Sequence, residues 1–142
     1  MIDYWEIEQR RPPTAKDVAK AAKQVAKIPD DGDAGKVHCP FDLYPKALPV
    51  ISGKDWSKSK LVQVKIKKLQ GSTARVSRAN LLWHVRNPGK SKFRGVWNTH
   101  LQCLKTKGGD IVIIDGHHRA TALLMLGVKR DSVWLLRESD LK

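Results

Sequence analysis

From Trp56 to Gly109 the sequence contains no Asp and no Glu, yet it carries thirteen Lys and Arg. That shortage excludes a surface on which this stretch balances its own charge. It calls for counter-anions from outside, and a phosphate-rich partner such as nucleic acid or a nucleotide fits best. The imbalance is local. Residues 1–58 hold ten Lys and Arg against nine Asp and Glu, and residues 59–142 hold seventeen against five, within a net charge of +13. Cysteine is also scarce: Cys39 and Cys103 are too few for a disulfide framework. No apolar run approaches a membrane span, and Met1 to Arg11 lack the apolar core of a signal peptide. The expectation is a cytoplasmic protein with no membrane partner.

What is present fits one core-forming domain and an appendage. Residues 1–58 read as an N-terminal helix and connector, and residues 59–142 as the main domain. Thr14-Ala-Lys-Asp17 matches a capping box, so a helix should run to Lys27 and stop before Pro29. Its lysines 16, 20, 23 and 27 share one face, and Val18, Ala22 and Val25 another. A DNA- or membrane-binding helix would look like this, and so would a docked surface helix with a solvated lysine face, which the lack of an aromatic on the apolar side favours. A protein partner could also meet the N-terminal segment. Asp30-Asp-Gly-Asp33 resembles a calcium loop but lacks the closing Glu. Residues 36–58, with Pro40, Pro45 and Pro49, read as an extended arm too apolar to float free.

Leu61 to Leu69 alternates, with Val62, Val64 and Ile66 predicted inward and Lys65 and Lys67 outward. Ser77 is an expected N-cap for a helix over Arg78–Val85. Residues 96–106 read as a helix closed by Gly108-Gly109, and Val133–Leu136 as a final strand. The fold class is therefore α/β or α+β, a mixed sheet with packed helices.

Chemistry concentrates between Ile111 and Gly127. Four β-branched residues form a strand, Asp115-Gly116 a turn, and Ala120 to Leu126 a helix stopped by Gly127. A strand that feeds through Gly into a helix leaves unpaired N–H groups at the positive end of the dipole, an anion site. Arg119 could clamp a phosphate bidentately there, or pair with Asp115 or Asp110. His117 and His118 could act as acid and base, ligate metal, or donate to phosphate, although a histidine is more often structural. Asp115 could cap the helix, orient a histidine or hold a metal ion. Ser72, Thr73 and Ser77 could donate to a phosphate chain if their loop lies beside the turn. Lys65, Lys67, Arg75, Arg78, Arg86, Lys90, Lys92 and Arg94 are the candidate contacts to a DNA backbone. Among the tryptophans, Trp56 could stack on a base. A zinc set from His38, Cys39, His100 and Cys103 matches no standard finger spacing, and Cys103 is better read as core. No metal site is expected from these residues.

The alternating strand, the Ser/Thr loop, the helix and the strand running into Asp-Gly-His-His-Arg-x-x-Ala resemble the ParB/sulfiredoxin superfamily, over about residues 59–138. The phage- and plasmid-type ParB-like nuclease domains are the nearest in motif. The resemblance implies a small fold that binds a nucleoside triphosphate, ATP or CTP, often with Mg2+. Gly116 and Arg119 would contact the phosphates, and Ala122 is the small helix residue of the motif. His117 stands where sulfiredoxin has Cys, which excludes sulfinic acid repair. His117, His118 and Thr121 replace residues of the partition-clamp motif. No Glu-Asn-x-x-Arg motif and no room for a helix-turn-helix domain are expected.

Two classes of function follow. The leading expectation is a nucleotide-dependent enzyme acting on DNA, a phage or plasmid ATPase, nuclease or both, with His117, His118 and Asp115 catalytic. The other is a DNA- or protein-binding accessory module without catalysis, which the shortage of carboxylates favours. A small-molecule kinase is a weaker third. A histidine-metal nuclease of the HNH type is excluded, because neither Asn nor His follows Arg119.

Overall fold

The computed structural model describes residues 4–90 and 100–141, and they form a mixed α and β architecture. Helix α1 (Tyr4–Ile7) is a single turn. Helix α2 (Ala15–Lys27) begins at the predicted capping box, with Thr14 and Asp17 exchanging bonds of 3.2 Å. Only Ala21 and Val25 of α2 are buried, and Lys16, Lys20, Lys23 and Lys27 stand in solvent. Strand β1 (Lys36–His38) pairs antiparallel with β3 (Arg75–Ser77) in a two-stranded sheet. Ser77 then caps α3 (Arg78–Arg86), its hydroxyl accepting from the Asn80 amide at 3.3 Å.

The main sheet has the order β2-β6-β4-β5, built from β2 (Lys60–Lys65), β4 (Leu101–Lys105), β5 (Ile111–Asp115) and β6 (Arg130–Arg137). β4 and β6 run parallel, and the two outer pairings are antiparallel. Helix α4 (His117–Met125) follows β5 directly.

The helix expected over residues 96–106 is not found over residues 101–105, which form β4; residues 96–99 lie outside the described residues. Leu-Gln-Cys-Leu-Lys suits a helix by propensity, but this strand is sandwiched between β5 and β6. Leu101, Cys103 and Leu104 are buried on both faces, so burial overrides propensity. The alternation of β2 is also blurred. β2 is an edge strand with Leu61 and Val62 40 % and 38 % exposed, and Ile66 is buried in the 3-10 turn Ile66–Lys68 that follows.

The buried cluster crosses the expected boundary at residue 58. Tyr4, Trp5, Val25, Val37 and Phe41 belong to the same core as Ile66, Leu81, Leu101, Ile113 and Leu123. The arm from 36 to 58 thus wraps the domain. Leu48 and Ile51 pack on a second cluster of Trp56, Leu104 and Leu136, so Trp56 is a core residue and presents no stacking platform. No helix among the described residues is long and apolar enough to cross a membrane.

Candidate functional site

The turn after β5 is built around Gly116. Its φ is +107°, and a Cβ there would lie 2.6 Å from Leu101 Cδ2, so backbone conformation and crowding both demand glycine. Helix α4 has no side-chain cap at its start, and its first helical bond runs from the Ala120 amide to the Gly116 carbonyl at 2.8 Å. At its far end, at the stop expected from Gly127, the Gly127 and Val128 amides bond the Leu124 and Leu123 carbonyls at 3.1 and 3.0 Å.

Both histidines bend back to the loop that precedes α3. Nε2 of His117 accepts from the Ser72 amide at 3.0 Å, and Nε2 of His118 accepts from the Ser77 amide at 3.0 Å. An imidazole nitrogen that accepts an amide proton carries none of its own, so these bonds favour the neutral ring with its proton on Nδ1. Burial, helped by the neighbouring His118, lowers the His117 pKa to about 4, and Asp115 opposes this only in part. His84 of α3 stacks near-parallel to His118, with 6.4 Å between centroids. The Ser72 hydroxyl donates to the Ile113 carbonyl at 2.7 Å, and Thr73 to the Arg75 carbonyl at 3.2 Å. Ser72, Ser77, His117 and His118 are thus brought together, with the loop beside the turn as expected. Their polar atoms already serve one another.

Arg119, expected either to clamp a phosphate or to pair with Asp115 or Asp110, lies largely inside the fold. It is 6 % exposed; burial lowers its pKa while the charges of Tyr4, Asp131 and Asp115 sustain it. Asp115 is exposed at the end of β5 and is a single carboxylate, the number a nucleotide-bound Mg2+ often takes from a protein. Asp110 lies beyond the opposite end of the same strand, so the two do not converge on one ion.

The basic candidates divide into two groups. Arg78 bonds Asp30 at 2.7 Å and the Val25 carbonyl at 2.6 Å, and Arg75 reaches Asp33 at 3.4 Å. Some counter-charge for the carboxylate-free stretch therefore comes from the loop that only superficially resembled a calcium site. Lys60, Lys65, Lys67 and Lys68 are exposed on β2 and the turn after it, and Arg86 and Lys90 are exposed at the end of α3. Lys92 and Arg94 lie outside the described residues.

A second polar centre was missed by sequence reasoning. The Asp131 side chain, fully buried on β6, accepts from the Tyr4 hydroxyl and lies 3.7 Å from Arg10. Glu8 accepts from the Ser132 amide at 2.9 Å and lies 3.4 Å from Arg10 and 3.6 Å from His100. Burial pushes the Asp131 carboxyl up to about 7 despite the Tyr4 hydrogen bond. Burial also works to raise Glu8, but the Ser132 amide and His100 outweigh it and leave the carboxyl below its usual range. The strand expected at Val133 begins at Arg130, and that extension is the signal that placed Asp131 inside. The two thiols are buried and raised by desolvation, Cys103 the more strongly, in line with core residues.

No family model, curated protein or solved structure matches the chain.

Proposed function

We propose that the chain is a nucleic-acid-binding accessory module that holds a phosphate backbone and does not hydrolyse it. The observation that carries this reading is the commitment of both imidazoles. With each Nε2 accepting a backbone amide, His117 and His118 act as clips between α4 and the loop at 72–77. A general base needs that lone pair free for a substrate proton. A metal nuclease also assembles several carboxylates around its ions, and the turn offers only the exposed Asp115. Binding would rest on the exposed lysines of β2 and its following turn, and on the exposed Arg86 and Lys90 at and after the end of α3.

Fluorescence anisotropy with a labelled DNA duplex across a salt series tests the proposal. Affinity should fall steeply with salt, with a log–log slope of about −0.9 per phosphate contact. Lys65→Ala with Lys67→Ala should flatten that slope, and no cleavage product or released phosphate should appear. Salt-independent binding, or turnover abolished by His118→Ala with folding intact, overturns it.

The uncapped start of α4 favours a second reading, a nucleotide-phosphate site at Gly116, as in the ParB/sulfiredoxin resemblance. ATP or CTP with Mg2+ at 100 times its dissociation constant would then stabilise the fold by about 2.7 kcal/mol. An unchanged melting temperature across ATP, CTP and Mg2+ removes that reading and leaves the first.

A further inference from the structure

We propose that Glu8, His100 and Asp131 form a buried site for a divalent transition-metal ion of the zinc class, independent of the turn at Gly116. One donor atom from each of the three residues lies within 4.8 Å of the others, and the three side chains are 2 %, 2 % and 0 % exposed. One imidazole and two carboxylates are a donor set for Zn2+ or its neighbours Mn2+, Fe2+ and Co2+, and the nitrogen ligand disfavours Mg2+ and Ca2+.

The division of labour among the oxygens points to a ligand. On Glu8, Oε1 receives the Ser132 amide and Arg10, while Oε2 faces His100 Nε2 at 3.6 Å. On Asp131, Oδ1 receives the Tyr4 hydroxyl and Arg10, while Oδ2 is buried with no hydrogen-bond partner among the described residues. On Asp131 one oxygen is thus steered by donors and the other left over, while the second oxygen of Glu8 is turned to His100 Nε2. That is the arrangement of ligand and outer-shell partner in protein metal sites. Tetrahedral ligands at about 2.1 Å from an ion stand roughly 3.4 Å apart, close to the Glu8–His100 separation. Arg10 occupies the opposite oxygens, so its charge does not fill the gap between Oε2, Oδ2 and Nε2. The ion would bind Glu8 from the N-terminal segment to β6 and to residue 100, just ahead of β4.

The test uses the full chain after chelator treatment. Zn2+ is added at one equivalent, with bound metal measured after gel filtration and melting followed in parallel. Co2+ serves as a visible-absorbing probe of coordination. The expected result is one ion per chain, a raised melting temperature, and a ligand-field band from Co2+. Asp131→Asn and His100→Gln should each weaken binding by at least about tenfold. Should either variant fail to fold, the wild-type Co2+ spectrum still decides. Absence of stoichiometric metal in the wild type, or equal uptake by folded Asp131→Asn, overturns the proposal and assigns the bridge to a proton.

Discussion

The turn at Gly116 and the centre under the N-terminal segment are both buried and polar, but their hydrogen-bond logic is opposite. At the turn each imidazole acceptor meets an amide donor, His117 with Ser72 and His118 with Ser77. Such a pairing is complete without any ligand and locks two loops together. At the second centre Glu8 Oε2 stands 3.6 Å from His100 Nε2, and Asp131 Oδ2 has no hydrogen-bond partner among the described residues. A complete network needs nothing further, whereas a carboxylate oxygen left over is open to a proton or a cation. Histidines in a conspicuous motif can therefore be the settled part of a molecule, and an inconspicuous Asp the part with an oxygen left over.

The comparison breaks most visibly at Asp131. Asp131→Ala strips Tyr4 of its hydrogen-bond acceptor and Arg10 of a buried ion-pair partner, and removing one member of such a network costs on the order of 3–5 kcal/mol. Chemical denaturation measures it, and Asp131→Asn should lose less because an oxygen still accepts from Tyr4. If Asp131→Ala unfolds at the same denaturant midpoint as wild type, the centre contributes nothing net and the contrast drawn above fails.

A titration sharpens the other side. Folded His117 has a pKa of about 4 against 6.5 in the unfolded chain, so between these values the unfolded state binds more protons. The stability from its neutral, amide-bound ring is complete above pH 6.5 and is lost as pH falls toward 4, by on the order of 3 kcal/mol. His117→Gln keeps an acceptor but cannot titrate. The difference in stability between wild type and His117→Gln should shift against the wild type across that window. A constant difference from pH 7 to pH 4 would show that His117 is not a neutral clip.

The local signals in the chain were sufficient for the turn. Four β-branched residues, a glycine needing positive φ, and a glycine stop placed β5, Gly116 and α4, because each depends on nearest neighbours. The Thr14 and Ser77 caps were legible for the same reason. β4 was not, since only its place between β5 and β6 turns Leu101–Lys105 from a helix-favouring sequence into a strand. The second centre was hidden by distance along the chain: Glu8, His100 and Asp131 meet only through tertiary packing. The pairing of Arg75 and Arg78 with Asp33 and Asp30 was hidden likewise, because charge counting by segment ignores which segments touch.

The smallest effect separates side chain from backbone at the turn. Ser77 contributes twice: its hydroxyl caps α3 by accepting from Asn80 at 3.3 Å, and its amide donates to His118 at 3.0 Å. Ser77→Ala removes the first and keeps the second. Loss of an N-cap costs roughly 1 kcal/mol. The His118 ring should keep its Nδ1-protonated tautomer in Ser77→Ala, read from the imidazole nitrogen shifts in an NMR spectrum. A tautomer change with that substitution would mean that the hydroxyl, and not the amide, holds His118, and the clip would then depend on a side chain that also serves the helix.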